Sequence, residues 1–312
     1  MTIFWTTLNQ TAFLLSFIVL GYILSRGKFI PDNSQAVLSK LENYVFIPAL
    51  VLGTFINNFS VEKLTTARDL LLGSLVLALI FIAISIPCVR MCSKDKYEQN
   101  IYLYGLSFSN FGFMGNAVVS ALFPDIFMEY LIFTLPLWTL IYLWGVPVLL
   151  IGDSSVKPTF AQRMKNFVNP MFVCMLLGMV IGLLGIPVPA FASSAITSAG
   201  NCMSPLAMLL TGMTIAKSDL KAILTIAGVY KVTAIRLLFF PLLFLALLNM
   251  ISLSETFAVC AVCALAMPLG LNTIIIPSAY GKDMRVASGM ALVSHVLSCV
   301  TIPVIFMIFE LL

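Results

Sequence analysis

Long apolar runs separated by short polar segments fill almost the whole sequence. The runs are continuous rather than alternating at a period of two, which favours membrane-spanning helices over barrel strands. A bilayer core about 30 Å thick requires roughly 20 apolar residues per helix, so the chain has room for ten spans. The predicted spans are Trp5–Leu24, Ala36–Asn57, Asp69–Pro87, Glu98–Phe123, Met128–Ile151, Phe167–Gly185, Ala190–Ala216, Ala222–Met250, Ser254–Tyr280 and Val286–Leu311. Lys231 and Arg236 interrupt the eighth, and one interpretation starts its membrane-embedded part near Arg236, after a short amphipathic stretch.

The fourth and ninth predicted spans are interrupted near their middle by residues that break helices. Residues 107–116 read Ser-Phe-Ser-Asn-Phe-Gly-Phe-Met-Gly-Asn, and residues 264–273 read Ala-Leu-Ala-Met-Pro-Leu-Gly-Leu-Asn-Thr. Proline lacks a backbone N–H and clashes with the preceding turn, while glycine tolerates unwound backbone. Unwound backbone survives at membrane depth only where protein, water or a ligand satisfies its polar groups. The two breaks therefore predict a polar site within the membrane.

The two breaks supply the candidate binding residues. Two antiparallel broken helices that cross would bring together two half-helix N-termini, which we expect near Asn116 and Asn272, and such ends favour a carboxylate. The opposing half-helix ends, near Asn110 and Met267, would present carbonyl groups suited to a cation or a hydroxyl. The predicted substrate-binding set is Asn110, Gly112, Gly115, Asn116, Met267, Pro268, Gly270, Asn272 and Thr273. For each asparagine, a packing hydrogen bond between helices is the alternative.

His295 and Ser109 are the candidate coupling residues. His295 is the only histidine and should lie near mid-depth in the tenth span, where an ionisable side chain indicates a function by default. The sequence offers it no evident acidic partner, and no aspartate falls in the middle of a span. Cys260 and Cys263 have the spacing of a redox or metal pair, but no second pair exists, so we interpret them as small buried hydrophobes. No cofactor or metal is expected.

Landmarks of the first half of the chain recur in the second half. Gly178 and Pro205 lie 157 residues after Gly21 and Pro48, and nearly the same shift carries the first break onto the second. An odd number of spans in each half reverses the direction of the second half, which predicts inverted repeats. The predicted domains are residues 1–155 and residues 156–312. Inverted repeats are typical of secondary transporters, although prolines and glycines are frequent enough in membrane helices to align by chance.

Composition and charge agree with a membrane protein. The 312 residues are 61% hydrophobic and 10% charged, whereas a soluble protein carries roughly 25% charged residues. Loops after odd-numbered spans carry twelve lysines and arginines, and the opposite side carries only Lys63 and Arg68. The positive-inside rule therefore places the odd loops in the cytoplasm and both termini outside. No cleavable signal peptide is evident, and the local clustering of charge does not suggest a nucleic acid partner.

The motifs resemble those of the auxin efflux carrier family, over essentially the whole chain. That family includes bacterial organic-acid permeases and the plant PIN auxin exporters, and it belongs with the bile acid:sodium symporter superfamily. The resemblance rests on residues 20–24, 43–50 and 109–115, on Met267-Pro268 with Asn272, on Tyr280-Gly281 and on Thr301-Ile-Pro303. It implies an all-α membrane fold, like those of NhaA and the bile acid symporters, with ten transmembrane helices in two inverted five-helix repeats. Spans 1, 2, 6 and 7 would form a scaffold, usually dimeric, and spans 3–5 and 8–10 a transport domain that moves as an elevator.

Three features depart from the pattern of the family. Asn116-Ala117 stands where Ile-Pro usually follows the glycine of the fourth span, and His295 stands where a small hydroxyl residue is more usual. The loop Gly152–Phe167 is short, so regulation built on a long cytoplasmic loop is not expected. The local geometry at the first break, and with it the substrate, is therefore expected to differ from that of relatives.

The predicted function is secondary active transport of small organic anions, such as auxin-like or dicarboxylic acids, across the cell membrane. The implied substrate carboxylate would bind where spans four and nine cross, in a lipid-embedded homodimer. A sodium/proton antiporter of similar architecture is the first alternative, but it generally needs acidic groups at the crossing. A membrane sensor is the second alternative, but no loop or tail is long enough for an output domain. An enzyme is not indicated, because the sequence has no H-E-x-x-H motif and no paired aspartates.

Overall fold

The computed structural model describes residues 2–59, 61–151, 170–217, 219–248, 250–251, 253–279 and 281–312, and this part of the chain is helical without a strand. Six helices are long and apolar enough to cross a membrane: Phe4–Arg26, Ser34–Asn57, Ala67–Cys92, Pro124–Leu150, Ala227–Leu248 and Arg285–Glu310. Shorter apolar helices are Phe111–Leu122, Pro170–Leu184 and Glu255–Ala266. The all-helical class is confirmed, and the full set of ten spans stays a prediction.

Several of the long helices are built from α-helical pieces joined by wider π turns. The α-helices are Thr2–Arg26, Ser34–Leu41, Ile47–Asn58, Val61–Cys92, Lys96–Ser107, Asn116–Leu122, Phe127–Leu140, Pro170–Leu184, Ala190–Asn201, Met203–Ala216, Leu220–Leu224, Ala227–Ala234, Phe240–Leu248, Glu255–Ala266, Asn272–Ala279 and Arg285–Glu310. The π turns are Glu42–Phe46, Phe111–Gly115, Ile141–Leu150 and Ile235–Phe239, and a 3₁₀ turn spans Pro124–Ile126. Such π turns are rare and occur frequently at functional sites.

Large apolar side chains cover the outer faces of these helices. On the helix Val61–Cys92, Leu72, Val76, Leu79 and Ile80 are each about half exposed. Apolar surface in water costs about 25 cal/mol per Å², so a continuous stripe of this kind is stable only against lipid or another protein. The outer surface is therefore typical of a multi-pass membrane protein.

Two pairs of helices approach each other closely through a glycine. Gly21, in the helix Thr2–Arg26, packs against the backbone carbonyl of Leu209. Gly178 packs against Leu52, and a Cβ atom added to this glycine would lie 2.9 Å from the Leu52 carbonyl oxygen. Small residues permit such backbone contact between membrane helices. Gly178 and Leu209 lie 157 residues after Gly21 and Leu52, so the two contacts correspond residue for residue under that shift.

The structure corrects the interpretation of the eighth predicted span. The helix Ala227–Leu248 continues through Lys231 and Arg236, so these residues do not interrupt it, and the start of its membrane-embedded part stays a prediction. Arg236 is only 2% exposed and lies in the interior, because backbone carbonyl groups there accept its hydrogen bonds. The predicted loop Gly152–Phe167 lies outside the described residues, as does Tyr280.

Candidate binding site

Two broken helices meet inside the protein, as the sequence predicted. We call Lys96–Ser107 with Phe111–Leu122 the first broken helix, and Glu255–Ala266 with Asn272–Ala279 the second broken helix. Their unwound residues form an antiparallel bridge between Ser109 and Leu269. The backbone N–H of Asn110 donates to the Pro268 carbonyl across this bridge, at 2.8 Å. We call this meeting point the crossing.

Glycine at position 270 allows the two unwound segments to touch. A Cβ atom on Gly270 would lie 2.6 Å from the Phe108 carbonyl oxygen and 3.3 Å from that of Ser109. Both of these atoms belong to backbone, so neither can turn away as a flexible side chain would. The close approach at the crossing therefore depends on the absence of a side chain at this position.

Asn110 begins the second half of the first broken helix. Its carbonyl accepts the N–H groups of Met114 and Gly115 at 3.1 and 2.9 Å, and its side-chain oxygen accepts weakly from Met114 at 3.4 Å. Asparagine is a favoured residue at helix N-termini for this reason. The regular α-helix begins at Asn116, as predicted, but the π turn Phe111–Gly115 precedes it, so the half-helix as a whole starts five residues earlier, at Phe111. The corresponding half of the second broken helix begins at Asn272, as predicted.

A small cavity lies beside the N-terminal ends of these two half-helices, with a volume of about 10 Å³, roughly the space of one water molecule. It is lined by Tyr104, Ser109, Asn110, Phe111, Gly112, Phe113, Trp138, Ile141, Gly270, Leu271 and Asn272. The first N–H groups of a helix have no partner within the helix. The N–H groups of Gly112, Phe113 and Asn272 find no backbone acceptor among the described residues either. The cavity therefore combines unpaired donors with two positive helix ends.

Asn272 is held in the cavity by a tyrosine of the first broken helix. Its side-chain nitrogen Nδ2 lies 2.9 Å from the hydroxyl oxygen of Tyr104, which is fully buried. Because the tyrosine oxygen accepts this bond, its own proton stays available as a donor. The pair connects the two broken helices by side chains, in addition to the backbone bridge.

Asn110 also connects the crossing to the helix Arg285–Glu310 through His295. Nε2 of His295 lies 2.9 Å from the Asn110 side-chain nitrogen, and Nδ1 lies 2.8 Å from the Ala291 carbonyl oxygen. A carbonyl only accepts, so Nδ1 carries the proton and Nε2 accepts from the asparagine amide. Both ring nitrogens are thereby occupied in the neutral imidazole. The predicted coupling residue holds Asn110 in place.

The carbonyl ends of the first halves of both broken helices lie on the other side of the crossing, around Arg236. Its guanidinium donates to the carbonyl oxygens of Leu106, Ala264 and Met267, at 3.0, 2.9 and 3.2 Å. Ser109 also donates to the Ala264 carbonyl, at 2.6 Å. The carbonyl groups predicted to suit a cation lie here, and a cation of the protein itself binds them.

The remaining predicted residues lie around the crossing without lining the cavity. Gly115 packs against Tyr130, whose hydroxyl donates to the Phe111 carbonyl at 2.9 Å. The hydroxyl of Thr273 donates to the Gly270 carbonyl at 2.8 Å and so closes the turn before the second half-helix. Asn116 is 7% exposed, and its side-chain oxygen has no hydrogen-bond partner among the described residues. The three residues therefore support the crossing from outside the cavity.

Comparison with known proteins identifies the family. A sequence model described as membrane transport protein matches residues 6–306. The chain belongs to the auxin efflux carrier family of membrane transport proteins. The match includes both broken helices and the whole crossing, and the family comprises transporters rather than enzymes. No curated protein matches the sequence.

This auxin efflux carrier family member also has a larger, basic cavity, of about 630 Å³. It is lined by Asp32, Gln35, Ala36, Ser39, Lys40, Thr214, Lys217, Gly281, Lys282 and Met284. Three lysines face one aspartate in this lining, so the cavity carries an excess of positive charge. A cleft lined mostly by one sign of charge raises the local concentration of the opposite ion. We call it the basic vestibule.

Two residues that complete the crossing of this carrier were not found from its sequence. Tyr104 was missed because a tyrosine within an apolar run looks like any other core residue. Arg236 was interpreted only as a residue near which the embedded part of the eighth span begins, although a lone charge within an apolar run indicates a functional position by default. Cys260 and Cys263 are buried free thiols, and no group of three or more potential metal ligands occurs in the described part of the chain.

Proposed function

We propose that this carrier is a secondary active transporter, a permease that moves small organic anions across the cell membrane. The observation that carries the proposal is the cavity at the crossing, where two half-helix N-termini and the side chain of Asn272 converge. A carboxylate accepts hydrogen bonds and carries the negative charge that these ends favour. The substrate carboxylate would bind there.

The charge of the cavity favours a single carboxylate group on the bound part of the substrate. Each helix N-terminus is equivalent to roughly half a positive charge, so two ends together contribute about one. The Asn272 amide and the Tyr104 hydroxyl are neutral donors that add hydrogen bonds without adding charge. Trp138 and Ile141 form an apolar wall, suited to the hydrocarbon part of an organic acid. A second carboxylate on the substrate would have to lie outside the cavity.

The basic vestibule supports an anionic substrate independently of the crossing. Lys40, Lys217 and Lys282 come from three separate segments of the chain and line one cavity. We assign this cavity to the cytoplasmic side, on the distribution of lysine and arginine among the predicted loops. Anions would be concentrated there before they reach the crossing or after they leave it.

We further propose ten spans in two inverted repeats, with both termini outside and an elevator-type movement. The glycine contacts of Gly21 with Leu209 and of Gly178 with Leu52 support the repeat, because one shift of 157 residues relates both. The scaffold would comprise spans 1, 2, 6 and 7 and form a homodimer, as the family resemblance implies. The other spans would carry the crossing across the membrane.

The proposal is tested by charge movement in liposomes adsorbed on a sensor membrane. Monocarboxylates and dicarboxylates are added in turn, with sodium and without it, and at two pH values. We expect a saturable current for at least one acid, with a half-maximal concentration that rises about 10- to 100-fold in the Asn272→Ala variant. Folded protein that gives no current with any acid of the panel would contradict anion transport and favour a neutral solute or a sensor.

A further inference from the structure

We infer that Arg236 is a built-in cation that fills the carbonyl face of the crossing, so that transport requires no sodium ion. The inference deepens the proposed transport function and rests on it for its consequence for coupling. The charge balance on which it depends is a property of the folded protein alone. It can therefore be tested without a substrate.

The position of Arg236 is that of a bound cation. Its three bonded carbonyl groups, on Leu106, Ala264 and Met267, come from the ends of two different half-helices. The residue is 2% exposed, and no carboxylate among the described residues forms an ion pair with it. The partners of the guanidinium in the described chain are thus backbone oxygen atoms, together with the face of the Phe240 ring at 5.9 Å.

The two helix ends balance the charge of the guanidinium. Each helix C-terminus is equivalent to roughly half a negative charge, so the two ends supply about one, against one positive charge on Arg236. An isolated charge in this interior would be strongly unfavourable, and this arrangement offsets that cost without a carboxylate. Half-helix C-termini and unwound carbonyl groups are also the groups that hold sodium in transporters with broken helices. Here the protein occupies them itself.

The consequence concerns coupling. Because Arg236 binds both broken helices, the crossing keeps its cation whether the substrate is present or absent. A sodium ion brought to these carbonyl groups would meet a fixed positive charge, and each of the three carbonyl groups already accepts a hydrogen bond from the guanidinium. The face can accept an external cation only after the guanidinium is removed.

The test compares thermal unfolding of purified protein in sodium chloride and in choline chloride at equal ionic strength. We expect the wild-type melting temperature to agree within about 1 °C in the two salts. Arg236→Ala should melt about 10 °C lower in choline, because two negative helix ends lose their cation. Sodium, or added methylguanidinium, should then raise its melting temperature by at least about 3 °C in a saturable manner.

Two further variants serve as controls. Lys231→Ala removes a positive charge from the same helix but from an exposed side chain that donates to the Met91 carbonyl, away from the crossing, so it should gain no sodium dependence. Arg236→Lys keeps the charge at the crossing and should stay indifferent to sodium, even if Arg236→Ala does not fold. Stabilisation of the wild type or of Arg236→Lys by sodium would overturn the inference. So would a folded Arg236→Ala protein that responds neither to sodium nor to methylguanidinium.

A transport measurement separates this inference from the proposed function. The carboxylate current of the wild type should have the same amplitude in sodium and in choline. A current that requires sodium would overturn the inference and leave anion transport standing. Absence of any carboxylate current would contradict the proposed function, while the melting temperatures would still decide whether Arg236 is the resident cation.

Discussion

The crossing has two faces, which the protein completes in different ways. On the face of the half-helix C-termini, the carbonyl oxygens of Leu106, Ala264 and Met267 all accept from Arg236. On the face of the N-termini, a small cavity of about 10 Å³ takes the place of a side chain. The N–H groups of Gly112 and Asn272 have no backbone acceptor there among the described residues.

In a broken membrane helix, the fold itself can satisfy one set of unwound backbone groups and leave another set open to a ligand. Unwound backbone at membrane depth must be satisfied, and each unpaired buried group costs about 1–3 kcal/mol. The carbonyl face is satisfied permanently, because an arginine side chain belongs to the fold. The face of the half-helix N-termini lacks such a partner. Its cavity is small and polar, which suits the polar group of a substrate that binds and dissociates.

Substitution of Gly270 should have the largest effect, because its backbone contact with Phe108 joins the two broken helices. In Gly270→Ala the new Cβ atom would lie 2.6 Å from the Phe108 carbonyl oxygen, which cannot move aside. We expect a loss of stability of about 1–3 kcal/mol and loss of carboxylate current, because the two broken helices separate. Melting temperature and current measure the two effects.

A second glycine provides the matched control. Gly289 lies in the helix Arg285–Glu310, where a Cβ atom would have its nearest neighbour at 3.2 Å, on the Val229 side chain. Gly289→Ala should lose far less stability than Gly270→Ala, since its nearest backbone atom, the Ile223 carbonyl oxygen, lies at 3.3 Å rather than 2.6 Å and alanine favours helix. If Gly270→Ala retained wild-type stability and current, the backbone contact at the crossing would not matter.

The breaks themselves could be predicted from the sequence, but the start of the half-helix could not. Pro268 and the glycines are incompatible with a regular buried helix, and this holds whatever surrounds them. The start at Phe111 instead depends on Asn110 accepting the N–H groups that follow it. Glycine permits a π turn as readily as a break, so the pattern of residues 111–115 did not decide between them.

At the face of the half-helix N-termini, the affinity for the substrate acid should depend on Asn272. Asn272→Ala removes a donor at the positive end of the second half-helix, and a hydrogen bond to a charged group contributes about 1.5–3 kcal/mol. We expect the acid concentration for half-maximal current to rise about 10- to 100-fold. Asn272 is partly exposed, so the melting temperature should change little.

Asn116 is the comparison for Asn272, because both asparagines belong to the broken helices but only Asn272 lines the cavity. Its side chain is buried outside the cavity lining, so Asn116→Ala should leave the concentration dependence near that of the wild type. The two single variants are measured with the same acid. A loss of affinity in Asn116→Ala as large as in Asn272→Ala would return Asn116 to the substrate site, where its sequence position first suggested it.

His295 should act on the open face through Asn110. Its ring is fixed in the neutral form between the Asn110 amide and the Ala291 carbonyl. His295→Gln should therefore raise the half-maximal concentration about 3- to 10-fold, by loosening Asn110, and leave the dependence of the current on pH unchanged between about pH 5 and 8. Ser298→Ala is the control, because the Ser298 hydroxyl binds the His295 carbonyl and not its ring. A pH profile that flattens in His295→Gln alone would instead make the histidine a proton carrier.

The side chains that contact the crossing from distant parts of the chain could not be predicted from the sequence. Tyr104 is separated from Asn272 by 168 residues, and Arg236 from Leu106 by 130 residues. Such pairs are determined by how the helices pack, which a single sequence does not encode in any local pattern. Arg236 alone had a local signal, since a charge that interrupts an apolar run must find a partner inside or end the span.

The smallest effect should come from the tyrosine that orients Asn272. Tyr104→Phe removes the oxygen that accepts from Asn272 but keeps the aromatic ring, so we expect a two- to five-fold rise in the half-maximal concentration, about 1 kcal/mol. Tyr102 lies on the same helix and is equally buried, but its hydroxyl has no hydrogen-bond partner in the described part of the chain. Tyr102→Phe should leave transport unchanged and the melting temperature equal or higher, because no hydrogen bond is lost. Equal effects of the two changes on affinity would show that the Tyr104 hydroxyl contributes only packing, and Asn272 would then be oriented by the backbone of the crossing alone.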